Sequence, residues 1–145
     1  MSAKEHKALV KQYAEQVWTQ GRIEVADKYV ASDYLRHDPG IPFEVRGPEG
    51  IKQLVPMYRA AFPDIHFTAD DIIAENDKVV VRWDVRGTHR GELMGIAPTG
   101  REVRITAIEI FRLSDGKIAE QWVLVDNLGM LQQLGAFPPP AQAGR

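Results

Sequence analysis

From Ile65 onward the spacing of apolar side chains changes from the helical three-and-four to a period of two, and that change decides the fold class. Ile65–Glu75, Lys78–Arg90, Arg101–Leu113 and Lys117–Asp126 each alternate in character and read as four long strands. Asn76-Asp77 separates the first two, and Ser114-Asp115-Gly116 the last two, both with the residue chemistry of hairpin turns. The link Gly91–Gly100, rich in glycine and proline, is too long for a tight hairpin.

Ahead of Ile65 the pattern is helical. Ser2 with Glu5 reads as a capping box, and Leu9/Val10, Tyr13/Ala14 and Val17/Trp18 form one apolar stripe that Gly21 ends. A short helix follows at Ile23 to Val30, then an extended piece, Asp33 to His37, entering a loop built on Pro39, Gly40 and Pro42. Pro48 suits the first turn of a further helix whose stripe is Ile51, Leu54/Val55, Tyr58 and Phe62, with Pro56 predicting a kink or early break. Leu128–Leu134 reads as a last short helix. The proline-rich stretch from Phe137 reads as a disordered tail, leaving residues 1–136 as one domain. Helices first and antiparallel strands after them make an α+β fold, a curved sheet wrapped over N-terminal helices. Such a geometry encloses a pocket, the first argument for a small-molecule site.

Composition narrows the classes. A chain of 145 residues buries roughly 70% of the surface its unfolded form exposes, so it needs no staple to fold. With 18 basic and 20 acidic residues the net charge is −2, which gives nucleic acid or an anionic membrane little to hold. There is no cysteine, which excludes disulfides, thiolate nucleophiles and Cys-based metal sites. The charged, helical start MSAKEHKALVKQ is unlike a secretory signal and no apolar run suffices to span a bilayer, so the expected location is cytoplasmic.

Alternation assigns faces. Along Val79–His89 the odd set is apolar and carries Trp83 and His89 inward. Along Lys117–Asp126 neither face is clean, but Trp122 and Leu124 favour the even set, which takes Asp126 inward with them. Between them, the odd set Val103, Ile105, Ala107, Glu109, Phe111 and Leu113 is the more apolar, yet Ile108 and Ile110 lie opposite. A strand apolar on both sides implies a homodimer through the outer sheet face.

Asp126 is the first candidate for chemistry. A carboxylate at the inner end of an apolar strand is desolvated, its pKa rises toward neutrality, and it then suits general acid/base work. The other reading is an N-cap for the helix beginning Asn127-Leu128-Gly129, and the two roles can coexist. His89 is placed to relay a proton or donate to an oxyanion, and His37 stands at the strand–loop junction at the pocket mouth; either can equally be a hydrogen-bonded structural residue. Trp83, Trp122, Tyr13, Tyr34 and Tyr58 are candidates to stack on a flat ligand, with core packing as their other use. Asp64-x-His66 and His37-Asp38 lack metal-site spacing, and the Gly91–Gly100 link matches neither G-x-G-x-x-G nor a P-loop, so no metal and no cofactor are expected.

Several of these segments resemble the SnoaL-like polyketide cyclases of the nuclear transport factor 2-like superfamily. The pieces are Arg36-His37-Asp38-Pro39, Ala61-Phe62-Pro63-Asp64, Gly87-Thr88-His89 with Gly95-Ile96-Ala97-Pro98-Thr99-Gly100, Ile110-Phe111-Arg112, Asp115-Gly116-Lys117 and Asp126-Asn127-Leu128-Gly129. The resemblance spans about Lys4 to Gly135 and implies a cone-shaped α+β fold, a deep pocket and a homodimer. It also implies an aldol-type ring closure without cofactor or metal, with an aspartate on the last strand as acid/base, matched here by Asp126, and His89 in support.

The expected function is therefore a cofactor-independent cyclase, isomerase or lyase acting on a small apolar carbonyl or polyketide-like compound. Two alternatives stand beside it. One is a non-catalytic ligand-binding or dimerisation module. The other is an epoxide hydrolase, which needs a second carboxylate and an arginine in the pocket, with Glu109 or Glu120 as the candidate carboxylate.

Overall fold

The computed structural model describes residues 1–136; the expected tail, 137–145, lies outside the described residues. The chain starts with α1 (Ala3–Tyr13), which continues as a π-helical segment (Ala14–Thr19). A 3-10 turn (Ile23–Val25) and α2 (Ala26–Tyr29) lead into β1 (Val30–His37) and β2 (Val45–Arg46). Then come α3 (Gly47–Ala61), β3 (His66–Glu75), β4 (Lys78–Thr88), β5 (Glu102–Ser114), β6 (Lys117–Val125) and α4 (Asn127–Gln133). This is the expected α+β architecture, with helices packed on a mostly antiparallel sheet.

The local signals explain most boundaries. Ser2 and Glu5 exchange both bonds of a capping box at 3.0 and 3.1 Å. Gly21 closes the first helical stretch at φ +74, a conformation costly for any residue with a Cβ. Its close neighbour is Arg59, which donates to the carbonyls of Trp18 and Thr19 at 2.9 and 2.6 Å and ties α3 to the π segment. The expected break at Pro56 does not occur, and α3 runs through it. Pro56 is on the exposed side of the helix, where the carbonyl it cannot pair, that of Lys52, is nearest water.

The sheet order is β2-β1-β6-β5-β4-β3. β1 and β6 run parallel and every other pair is antiparallel. β4 and β5 pair without interruption from Lys78↔Arg112 to Thr88↔Glu102, so the odd residues of both strands share the inner face. Val79, Val81, Trp83, Val103, Ala107 and Phe111 are buried there against Val10, Tyr13, Val17, Ile51 and Leu54 of the helices.

One irregularity determines what the last strand presents. Leu113 pairs with Ile118, but Arg112 pairs with Glu120, so Ala119 is an extra residue in β6. Such a bulge reverses the alternation beyond it. Ile118 faces inward before the bulge; after it Gln121, Val123 and Val125 face inward while Glu120, Trp122, Leu124 and Asp126 turn outward. The even-inward assignment for this strand is thereby corrected. It treated the alternation as unbroken, and a bulge costs one residue without any Gly or Pro to mark it. Among the described residues no helix is long and apolar enough to cross a membrane.

Candidate functional site

Between the helices and the inner sheet face lies a cavity of about 770 Å³, its open mouth included. The π segment supplies Ala14 and Trp18, α3 supplies Tyr58, and β4 and β5 supply Trp83, Val85, Ile105, Ala107 and Phe111. The walls are almost entirely hydrocarbon and aromatic ring. Trp18 packs tilted against Tyr58 and Phe67, with centroids 5.9 and 5.6 Å apart, and Phe67 meets the edge of Trp83 at 5.8 Å. π-helical turns are rare and recur at functional sites; this one sets Trp18 into the wall.

Among the described residues, two charged side chains on the wall of this cavity are buried, Glu109 and Arg36, while a third, Arg86, is exposed. Glu109 of β5 accepts a hydrogen bond from Trp83 Nε1 at 2.9 Å, and its other oxygen is 4.0 Å from Arg36 Nη2. Arg36 of β1 donates through Nε to Asp38 at 3.2 Å, and its guanidinium carbon lies 5.5 Å from the centre of the Trp18 ring. Asp38, buried beside it, also accepts from the backbone N–H of Gly40 at 3.1 Å. Behind them Tyr34, pushed up to about 12 by burial, donates to Gln121 Oε1 at 2.7 Å. Burial raises the Glu109 pKa, and this outweighs Arg36, Trp83 and Gln121, which favour the ionised form. Burial disfavours the Arg36 charge too, but Tyr34, Glu109, Tyr13 and Asp38 together reverse that and keep it protonated.

The residues expected at the site divide sharply. Trp83, Tyr58 and Glu109 line the cavity. Tyr34 is fully buried but sits one layer behind, bonded to Gln121. Trp122 and His37 are on the outer sheet face, stacked on each other at 5.3 Å, and His37 Nε2 is 2.7 Å from Glu120 Oε2. Their inward or mouth placement is corrected by the bulge and by the odd–even alternation of β1, which turns Tyr34 and Arg36 in and His37 out. His89 is wholly buried, but behind the cavity wall, packed on Phe62 at 5.6 Å. Its Nδ1 accepts from the backbone N–H of Thr99 at 3.2 Å, which assigns the proton to Nε2.

Asp126 is the main correction. It is exposed, and its Oδ1 accepts from the backbone N–H of Gly129 at 2.9 Å as the N-cap of α4. The bulge at Ala119 turns it from the cavity to the water. The candidate acid/base group in the cavity is Glu109 instead. Arg36, Asp38 and Gln121 were not singled out from sequence as site residues. The signal was present for one of them: Tyr34 and Arg36 share a parity with Val30 on β1, and a buried arginine needs a partner.

The family model for SnoaL-like polyketide cyclases matches residues 8–134. Nogalonic acid methyl ester cyclase of Streptomyces nogalater is 34% identical over 119 residues, covering 79% of this chain and 87% of the relative. A crystal structure of a candidate polyketide cyclase from Acidithiobacillus ferrooxidans is 34% identical, covers 93% of this chain and 98% of its own, and superposes with a TM-score of 0.84. AclR of Streptomyces galilaeus, described as a candidate hydroxylase, is 30% identical, with coverage of 97% and 87% and a TM-score of 0.83.

The position of Asp126 makes a direct prediction. Asp126→Asn keeps the cap and should leave both stability and any turnover within a factor of two of the wild type, roughly the noise of a cap-conserving change. Asp126→Ala should lower unfolding free energy by about 1 kcal/mol in urea titrations, again with turnover kept. Loss of turnover in a folded Asp126→Asn protein would return the catalytic role to that residue.

Proposed function

Because the chain belongs to the SnoaL-like polyketide cyclase family, we propose that it is a cofactor-independent acid/base enzyme that closes a ring in a small, apolar, polyketide-like carbonyl compound. The observation that carries this reading is Glu109, a buried carboxyl with a raised pKa at the wall of an apolar cavity. A carboxyl raised that way can take a proton from a substrate and later return it.

The chemistry balances on this one group. Glu109 carboxylate removes a proton from the carbon between two carbonyls; the C–H bond breaks, an O–H bond forms on the carboxyl, and the electron pair passes to an enolate oxygen. The enolate carbon then attacks a second carbonyl of the same molecule, and the new alkoxide recovers the proton from Glu109. The cavity walls fold the flexible chain so that carbon meets carbonyl, an orientation effect that is the larger share of the acceleration. Trp83 holds the Glu109 carboxyl in place through its indole N–H.

A second reading keeps its standing because of one arrangement. Arg36 lies between the carboxyls of Asp38 and Glu109, at 3.2 and 4.0 Å. A guanidinium between two carboxyls is the set an epoxide hydrolase requires, one acid to protonate the epoxide oxygen and one base to activate water. A non-catalytic binding module would need neither the strained ionisation of Glu109 nor its contact with the cavity.

The reading includes a homodimer through the outer sheet face. Ile108 and Leu124 are cross-strand partners there, 49% and 67% exposed, beside the His37–Trp122 stack. Large apolar side chains grouped on one sheet face favour a covering partner. Leu124→Lys should convert a dimer at micromolar concentration to a monomer in sedimentation equilibrium; a wild type that sediments as a monomer contradicts the dimer.

Ring closure of nogalonic acid methyl ester, the compound in the name of the Streptomyces nogalater relative, is the assay for the main reading. Glu109→Gln should lower kcat roughly 10²- to 10⁴-fold, the range for loss of a general base. In the wild type kcat/KM should rise with pH along a limb displaced above the ordinary glutamate range, because only the ionised carboxyl accepts the proton. Turnover kept in Glu109→Gln would overturn the role of this residue.

A further inference from the structure

Arg36 has one polar atom that finds no acceptor among the described residues. Its Nε is bonded to Asp38, and its Nη2 approaches Glu109 at the long distance of 4.0 Å. Nη1 is buried and has no hydrogen-bond partner among the described residues. The side chain is only 4% exposed, and the residue lines the apolar cavity next to Glu109. A buried guanidinium donor left unpaired costs stability that an adjacent acceptor would recover. Trp18, Phe111 and Ala107 beside it offer no acceptor, and the nearby Tyr13 and Tyr34 hydroxyls are engaged elsewhere, Tyr13 accepting from Trp18 Nε1 and Tyr34 donating to Gln121.

We propose that Arg36 is the residue that receives the substrate's oxygen, and that the ligands this cavity prefers are flat, apolar carbonyl compounds whose oxygen carries or develops negative charge. The inference rests on the acid/base reading of Glu109 and deepens it by naming the group that holds the enolate. When Glu109 takes the proton from carbon, negative charge leaves its carboxylate and appears on the substrate oxygen, and the guanidinium contacts both positions. The total charge of the closed site is unchanged by the step, so no ion is created in hydrocarbon surroundings. Donors already fixed toward the developing oxyanion cost no reorganisation. Arg36 is fixed by Asp38 and by its position against the Trp18 ring.

The geometry also sets a selectivity. An apolar ligand without an oxygen at this depth leaves Nη1 unpaired, whereas an enolate or phenolate satisfies it with a charge-assisted bond. The cavity therefore discriminates by the charge on one oxygen rather than by hydrophobic area alone.

The test uses two probes of nearly the same shape. 2-Phenyl-1,3-indandione is an enolate at neutral pH, whereas 2-methyl-2-phenyl-1,3-indandione cannot enolise and stays neutral. Isothermal titration of the full-length wild type should show the enolate binding at least tenfold more tightly. Arg36→Gln should reduce that preference to within about twofold. Glu109→Gln, which leaves the guanidinium in place, should keep it. Equal affinity of the wild type for the two probes overturns the inference even if Arg36→Gln fails to fold, and so does a folded Arg36→Gln protein that keeps the full preference. The two proposals fail separately. Normal turnover in Glu109→Gln with the enolate preference kept removes the base and leaves Arg36, whereas lost turnover with no preference removes Arg36 and leaves the base.

Discussion

The arrangement on which the site depends is an arginine held in the interior with a carboxyl on either side. Arg36 bonds Asp38 at 3.2 Å and lies 4.0 Å from Glu109, while the surrounding walls are indole, phenyl and aliphatic. Buried ionic groups of this kind seldom add stability over well-packed hydrocarbon of the same volume. Their benefit has to be sought elsewhere, and here it is chemical. The asymmetry within the trio matters most. Asp38 is bonded to both Arg36 Nε and the Gly40 backbone, whereas Glu109 has the looser guanidinium contact and a short bond from Trp83. Burial therefore prevails at Glu109 and leaves it able to exchange a proton.

The scaffold serves that trio through two departures from regular structure. The π-helical turn at Ala14–Thr19 carries Trp18 over the Arg36 guanidinium, and the bulge at Ala119 brings Gln121 in beside Tyr34. The uninterrupted β4–β5 ladder supplies the rest, placing Trp83 and Glu109 on the same face of neighbouring strands. A change of one residue in the bulge exchanges the two faces of β6, and with them which polar groups meet the cavity.

Much of this was legible in the sequence, and the part that was not has a physical cause. The period change at Ile65, the capping box at Ser2 and Glu5 and the left-handed Gly21 are local signals, and local signals fix local structure. The inward face of β4 followed from unbroken alternation, which placed Trp83; β5 is apolar on both sides, and its pairing with β4 is what turns Glu109 inward. Asp126 was misplaced because alternation carries no memory of a bulge that has no marker residue, and the N-cap reading, which was also open, describes its geometry. Residue type alone points to His37 rather than Arg36, and burial of a charged residue becomes visible only when the strand's neighbours are known. Family membership follows from similarity along most of the chain. The identity of the acid/base group is a matter of which side chains share one cavity.

The ionisation of Glu109 can be followed directly by carbon NMR, with glutamate labelled at the carboxyl carbon and the resonance assigned by its absence in Glu109→Gln. A midpoint well above the ordinary glutamate value of 4.5 is the result expected of a dry, weakly compensated carboxyl that trades protons with a substrate. A midpoint at or below that value would mean that Arg36 and Trp83 hold the group permanently ionised, and the acid/base function assigned to this cavity would be wrong.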